Sequence, residues 1–176
     1  MLTASHLIVE HINRTIRPSL KDPVVIATDL GFAKMGRNYA AAMDMTVAFI
    51  EKRRSGNDAK AEALTLIGDA KHRDVIIVDD EVDTGSSVAQ AVNLVKREGA
   101  RDVYLAFVHP VFSKGAAQRL AELPVQHIIT TDTVPISEEK MRVLKDRISI
   151  VSVAELLGEV IKRAHEGRSV GEMWHE

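Results

Sequence analysis

Residues 75–87, Val-Ile-Ile-Val-Asp-Asp-Glu-Val-Asp-Thr-Gly-Ser-Ser, hold two kinds of chemistry within a few positions of each other. The β-branched run Val75–Val78 predicts a buried strand, and it ends in a carboxylate pair, Asp79 and Asp80. A turn of small residues then opens a helix. Backbone N–H groups around Thr84, Gly85, Ser86 and Ser87, at a helix N-terminus, form an anion cradle with a favourable dipole. The carboxylates are acceptors only, suited to hydroxyl groups or a hard cation. A ligand that uses both carries phosphate at one end and hydroxyls, with or without Mg²⁺, at the other, as a ribose phosphate does. The Gly-Lys-Ser/Thr of an NTPase loop and the Gly-x-Gly-x-x-Gly of a dinucleotide fold are both absent from the sequence. At an isolated strand–helix junction Thr84 and Ser86 would be no more than helix caps. Four apolar residues, paired acids and Asp83-Thr84-Gly85-Ser86-Ser87 in succession argue for a site.

Other stretches carry weaker signals by themselves. Thr28-Asp29-Leu30-Gly31 has the composition of any β–α turn, because Asp and Gly dominate turns for conformational reasons. Lys52-Arg53-Arg54 reads on composition as a solvated basic face. His109, before Pro110, reads as a structural histidine at a strand end. The remaining histidines (6, 11, 72, 127, 165 and 175) show no metal-binding spacing. Trp174 reads as a packing or docking residue in the tail.

The elements that must position these residues alternate. Residues 3–16 predict an amphipathic helix with Leu7, Ile8, Ile12 and Ile16 on one side. Strands are predicted at 24–27, 46–50, 75–78, 103–108, 126–130 and 149–151, and helices at 33–43, 87–98, 114–122 and 153–165. Residues 51–58 read as a basic, flexible connection, and 166–176 as a loosely ordered tail. Apolar strands alternating with helices predict a parallel sheet covered on both faces, with ligands at the carboxyl ends of the strands. The loops after residues 27, 50, 78 and 108 would share that edge. No linker, repeat or low-complexity tract divides the sequence, so residues 1–176 read as one domain.

The bulk composition sets bounds. A chain of 176 residues with 45% hydrophobic content can bury a real core. Its 23 basic and 25 acidic residues leave a formal charge of −2, which gives no general attraction to nucleic acid. The absence of cysteine excludes disulfides, thiol catalysis and thiolate metal sites. No apolar stretch approaches about 20 residues and no signal-peptide pattern opens the chain, so the expectation is a cytoplasmic protein without a membrane segment.

The 79–87 segment resembles the ribose-5-phosphate loop shared by type I phosphoribosyltransferases and ribose-phosphate pyrophosphokinases (PRPP synthetases). That resemblance implies a three-layer α/β/α domain of the type I phosphoribosyltransferase kind. It assigns Asp79, Asp80, Asp83, Thr84, Gly85, Ser86 and Ser87 to the ribose hydroxyls and the 5′-phosphate. By the same resemblance, Asp29, Leu30 and Gly31 stand at the diphosphate-binding loop, with Asp29 a Mg²⁺ ligand. The family's second glycine there is Phe32 in this chain, which narrows the backbone options. Lys52 and Arg54 match a Lys-x-Arg that begins a mobile catalytic loop. There they would neutralise charge on a transferred diphosphoryl group. Where relatives often carry proline after the basic triplet, Ser55-Gly56 makes a softer loop. Residues 108–113 and 130–135 match stretches of PRPP synthetases rather than of base-specific phosphoribosyltransferases.

Taken together, these motifs imply ribose-phosphate diphosphokinase chemistry: ATP and ribose 5-phosphate give AMP and PRPP with Mg²⁺, in a homo-oligomer. Such synthetases are about twice as long and built from two similar halves. This chain is expected to correspond to the C-terminal half, with the N-terminal half and much of the ATP site absent. Two alternatives stay open. One is a stand-alone phosphoribosyltransferase using PRPP and a base. The other is a non-catalytic subunit that senses PRPP or a nucleotide.

Overall fold

In the computed structural model, which describes residues 3–54 and 62–173, seven strands form one sheet with helices on both faces. The strands are β1 (Val24–Ala27), β2 (Thr46–Arg54), β3 (Glu62–Ile67), β4 (Val75–Glu81), β5 (Val103–His109), β6 (His127–Thr131) and β7 (Ile148–Val151). They lie in the order β3-β2-β1-β4-β5-β6-β7. Every neighbouring pair is parallel except β2 and β3. The helices are α1 (Ser5–Thr15), α2 (Ala33–Met43), α3 (Ser86–Arg97), α4 (Ala116–Glu122), α5 (Glu138–Leu144) and α6 (Ala154–His165).

Side-chain alternation along the central strands sorts the core into two layers. Val24 and Ile26, Val75 and Ile77, and Val103 and Leu105 pack against α3, α4 and Leu144 of α5. Val25 and Ala27, Ile76 and Val78, and Ala106 face the other way, onto α1 and α2. Because both faces are covered, these strands are apolar throughout, as all four residues of β1 show by being buried. Each large apolar side chain buried this way contributes about 1.5–3 kcal/mol before chain entropy is offset. Val88, Ala91, Val92 and Val95 supply the apolar stripe of α3, with spacings of three and four that keep them on one face. On the other layer α2 presses close to β1. A Cβ at Gly36 would come within 2.9 Å of the Ala27 Cβ, so glycine permits this approach.

Three features depart from the sequence expectation. Residues 51–54 continue β2 instead of starting a loop, and β3 returns antiparallel beside it, pairing Lys52 with Leu64 and Arg54 with Glu62. The sheet is therefore parallel with an antiparallel edge strand. Residues 62–67 have a Glu-Ala-Leu-rich make-up that favours helix over strand, and pairing with β2 overrides that preference. The short helix α5 was not anticipated, although Ser137 followed by Glu138 and Glu139 is a good helix start. Finally, β4 carries Asp79, Asp80 and Glu81 as strand residues. Residues 55–58 of the expected flexible connection, and Trp174, lie outside the described residues. Among the described residues no helix is long and apolar enough to cross a membrane.

Candidate functional site

The chain runs from β1 outward to β2 and β3, then crosses back to place β4 on the other side of β1. Outside the carboxyl ends of two strands whose connections diverge, a crevice must open. A pocket of about 310 Å³ lies there, lined by Thr28 and Asp29 after β1, Lys52 of β2, Asp79–Glu81 at the end of β4, residues 82–85, and Ser86–Val88 of α3. Of the residues singled out in the sequence, Asp29, Lys52, Asp79, Asp80, Asp83, Thr84, Gly85, Ser86 and Ser87 meet in this one pocket. Leu30 and Gly31 do not line it, and the Leu30 side chain is exposed. The backbone of Arg54 belongs to β2, and its side chain lies outside the described residues.

Gly85 stands at the N-cap of α3 in the left-handed region, with φ 75° and ψ 6°, where a Cβ is costly. No side chain caps that helix. The Thr84 hydroxyl instead accepts from the Ser86 amide at 3.3 Å and donates to the Ser86 hydroxyl at 3.1 Å. The amides that open a helix lack partners within it, and Ser87 and Val88, which carry two of them, line the pocket. The arrangement is an anion cradle on a left-handed turn.

Asp79 occupies the other end. Its Oδ2 accepts from the hydroxyl of Thr28, itself buried, at 2.8 Å. Its Oδ1 accepts from the Asp80 amide at 3.0 Å. Burial pushes the Asp79 carboxyl up to about 7; the Thr28 hydrogen bond opposes the rise and the adjacent Asp80 adds to it. Behind it, the fully buried Tyr39 hydroxyl finds no hydrogen-bond partner among the described residues. Burial, reinforced by the charge of Asp79, raises its pKa. Thr28 was not singled out as a site residue by sequence reasoning. Its only sequence signal is a hydroxyl residue at a strand end beside Asp29.

Asp29 has a structural task of its own. Its Oδ1 accepts from the Phe32 amide at 2.8 Å and closes the turn into α2. Phe32 sits at φ −89° and ψ 4°, a negative-φ turn conformation that does not call for glycine. Among the described residues, five carboxylates (Asp29, Asp79, Asp80, Glu81 and Asp83) and a single lysine line the pocket. No group of three or more His, Asp or Glu is gathered to hold a metal among the described residues. The donors are nonetheless all hard oxygens. Mg²⁺ is commonly held by one or two carboxylates together with substrate phosphates, and this donor set fits that mode. His109 lies outside the pocket, as a strand-end residue: its Nδ1 and the Thr133 hydroxyl are 2.9 Å apart, and its carbonyl accepts from Val82.

Residues 55–175 match a sequence profile described as the phosphoribosyl synthetase-associated domain. The chain belongs to that family. It is 34% identical to the ribose-phosphate pyrophosphokinase of Aquifex aeolicus over 173 residues, covering 98% of this chain and 53% of that protein. It is 39% identical to the ribose-phosphate pyrophosphokinase of a Nostoc species, covering 88% of this chain and 46% of that one. Thus it spans about half the length of the curated relatives it matches. The crystal structure of the phosphoribosylpyrophosphate synthetase from Mycobacterium smegmatis superposes with a TM-score of 0.82 at 34% identity, over 93% of this chain and 51% of that one. An orotate phosphoribosyltransferase from Aeropyrum pernix shares the fold at 18% identity with a TM-score of 0.57, over 90% of this chain and 74% of that one. The architecture is therefore that of type I phosphoribosyltransferases, the fold class expected from the sequence.

Proposed function

We propose that this pocket binds ribose 5-phosphate and forms the sugar-phosphate part of a ribose-phosphate pyrophosphokinase active site. The observation that carries the reading is the meeting of an anion cradle, a carboxylate wall and Lys52 in one crevice. The cradle at Thr84–Ser87 takes the 5′-phosphate, and Asp79, Asp80 and Asp83 accept hydrogen bonds from the ribose hydroxyls. The 1-hydroxyl oxygen then attacks the β-phosphorus of ATP. The bond from that phosphorus to the α-phosphate oxygen breaks, AMP departs, and the hydroxyl proton passes to solvent. Little covalent work falls to the protein, so orientation and charge neutralisation carry the rate. Lys52 supplies positive charge to the migrating diphosphoryl group, with Arg54 as its partner from the same strand. The Asp29–Gly31 turn receives the diphosphate. Bound Mg²⁺, held by Asp29 and the diphosphate, would neutralise phosphate charge in a pocket where carboxylates outnumber cations. The same reading implies a homo-oligomer in the cytoplasm, and ATP as a substrate completed by groups beyond the matched half of the relatives.

Calorimetry of the 176-residue chain tests the reading directly. Ribose 5-phosphate should bind in the presence of Mg²⁺, and no heat with either ribose 5-phosphate or PRPP would overturn the assignment. Lys52→Ala should abolish sugar-dependent AMP formation while leaving ribose 5-phosphate affinity within about twofold, as expected of a charge used in the transition state. Markedly weaker sugar binding in that variant would count against its role. Pyrophosphate release from PRPP with a purine or pyrimidine base would favour a phosphoribosyltransferase instead.

A further inference from the structure

A loop can turn its amides toward a ligand only if its carbonyls are satisfied elsewhere. Four successive carbonyls of the phosphate loop are taken up away from the pocket. That of Val82 accepts from the Phe112 amide at 2.9 Å, and that of Asp83 from the Ser113 amide at 3.0 Å. That of Gly85 accepts from Ala89 at 2.9 Å, within α3. The carbonyl of Thr84 has a different kind of partner: Nη1 of Arg119, a half-buried side chain on α4. The donors at 112 and 113 are held in place by Phe112, which is buried at φ 45°, an unusual backbone for a bulky residue. Its ring packs edge-to-face on Phe107 with centroids 5.8 Å apart. The stem of Arg119 also passes Gly85, its Cδ 3.9 Å from where a Cβ on that glycine would sit.

We infer that Arg119 is a positioning residue for the phosphate end of the pocket, holding the Thr84 carbonyl outward so that the following amides turn in. The inference rests on the reading of this loop as the 5′-phosphate cradle. Among the three ties from outside the loop and its helix, Arg119 provides the one made by a side chain, and thus the one a substitution removes cleanly. A hydrogen bond from a charged donor fixes the carbonyl more firmly than a neutral one would. The guanidinium also brings positive charge to the back of an anion site whose described lining holds five carboxylates and one lysine.

Arg119→Met keeps the aliphatic stem beside Gly85 and deletes the donor, whereas Arg119→Lys keeps the charge. Two measurements on the full chain decide the matter: calorimetry with ribose 5-phosphate, and amide hydrogen exchange without ligand at Ser86, Ala89, Phe112 and Ser113, whose amides bond within or onto the loop. Arg119→Met should weaken ribose 5-phosphate binding by roughly tenfold, the effect of one charged hydrogen bond acting through a loop. It should also speed exchange at the hydrogen-bonded amides of Ser86, Ala89, Phe112 and Ser113, with the melting temperature unchanged, and Arg119→Lys should recover part of both. Unchanged exchange at Ser86, Ala89, Phe112 and Ser113 overturns the inference, even if affinity falls, because Arg119 would then act by touching the phosphate or not at all. Wild-type chain that fails to bind ribose 5-phosphate overturns the functional reading, and the exchange measurement still decides the role of Arg119.

Discussion

Asp79→Asn separates the energetic cost of the site from its use. An unfolded aspartate ionises near 3.8, whereas burial raises the folded Asp79 carboxyl to about 7. Between those pH values the folded chain holds a proton that the unfolded chain has already released, so stability falls as pH rises and levels off above about 7. At 1.36 kcal/mol per pH unit, the gap corresponds to a ceiling of about 4 kcal/mol. The partly open face of the carboxylate, where solvent screens the charge, lowers the expected effect to about 2–3 kcal/mol. Asparagine keeps the geometry: its oxygen can accept from the Asp80 amide, and its NH₂ can donate to the Thr28 hydroxyl, reversing that bond. Urea denaturation at pH 5 and pH 8 is the assay. At pH 5 the unfolded wild type has already released most of this proton while the folded form keeps it, so Asp79→Asn should be more stable by only about 1 kcal/mol. At pH 8 Asp79→Asn should be more stable by about 2–3 kcal/mol. A difference between variant and wild type that does not change with pH would refute the claim that Asp79 carries this buried charge. Sugar binding should move the opposite way. The amide loses a charged acceptor for the ribose hydroxyls, so ribose 5-phosphate affinity should fall about tenfold or more in the variant at pH 8. Wild-type affinity should rise from pH 6 to 8. The ligand's own phosphate titrates near pH 6, and the variant provides its control.

Two further perturbations probe the frame around the site. Gly85→Ala places a Cβ on a left-handed residue at φ 75°, which should cost about 1–2 kcal/mol in urea denaturation and weaken ribose 5-phosphate more than it weakens the fold; equal affinity would dissociate the turn from phosphate binding. Asp74→Ala attacks the opposite end of the sheet. The buried Asp74 carboxylate receives Arg101 Nε at 2.7 Å, Arg101 Nη2 at 2.6 Å and the Lys21 amide at 2.7 Å. Burial pushes its pKa up, but Arg101 and the backbone amides of Lys21 and Asp102 outweigh burial and hold it below the usual value. Its stabilisation is therefore present above the unfolded pKa near 3.8 and is lost as pH falls through the folded one. The variant should lose about 2–3 kcal/mol at pH 7 with sugar binding unchanged, and the loss should shrink toward pH 3.

The parts of the site that were legible in the sequence are local ones. Val75–Ser87 contains its strand, its acids, its left-handed glycine and its helix start within one contiguous segment, and the structure keeps that order. What the sequence hid is carried by contacts between distant residues. Thr28 meets Asp79 across 51 positions, and Arg119 reaches Thr84 across 35. Neither pair leaves a trace in periodicity or turn composition. The basic segment misled for a related reason. Lys-Arg-Arg lowers local apolarity and suggests a loop, yet β3 pairs with β2 and carries it as strand, with Lys52 opposite Leu64. The expected alternation was present in Leu64 and Leu66, which pack on the core, but helix-favouring neighbours masked it. Phe32 shows the converse. It was expected to narrow the diphosphate turn, and its backbone takes a negative-φ turn conformation that does not call for glycine.

The two ends of this sheet treat buried carboxylates in opposite ways, and that contrast locates function without any motif. At the amino end of β4, Asp74 is matched by a bidentate arginine and an amide, and Gln126 binds Asp102 nearby at 2.9 Å. Charge there is neutralised, as a structural end requires. At the carboxyl end Asp79 is held by one hydroxyl and one amide, stands next to Asp80, and acts electrostatically on the Tyr39 hydroxyl, which finds no partner among the described residues. Folding alone would favour losing that arrangement, since a neutral residue would cost less. Uncompensated charge at the point where strand order reverses is what a site leaves open for groups that a ligand brings. Ribose hydroxyls provide donors for those carboxylates, and a phosphate with its cation provides the charge that Lys52 alone does not supply. The stability gained by Asp79→Asn at pH 8 and the sugar affinity it loses would then measure the same feature from its two sides.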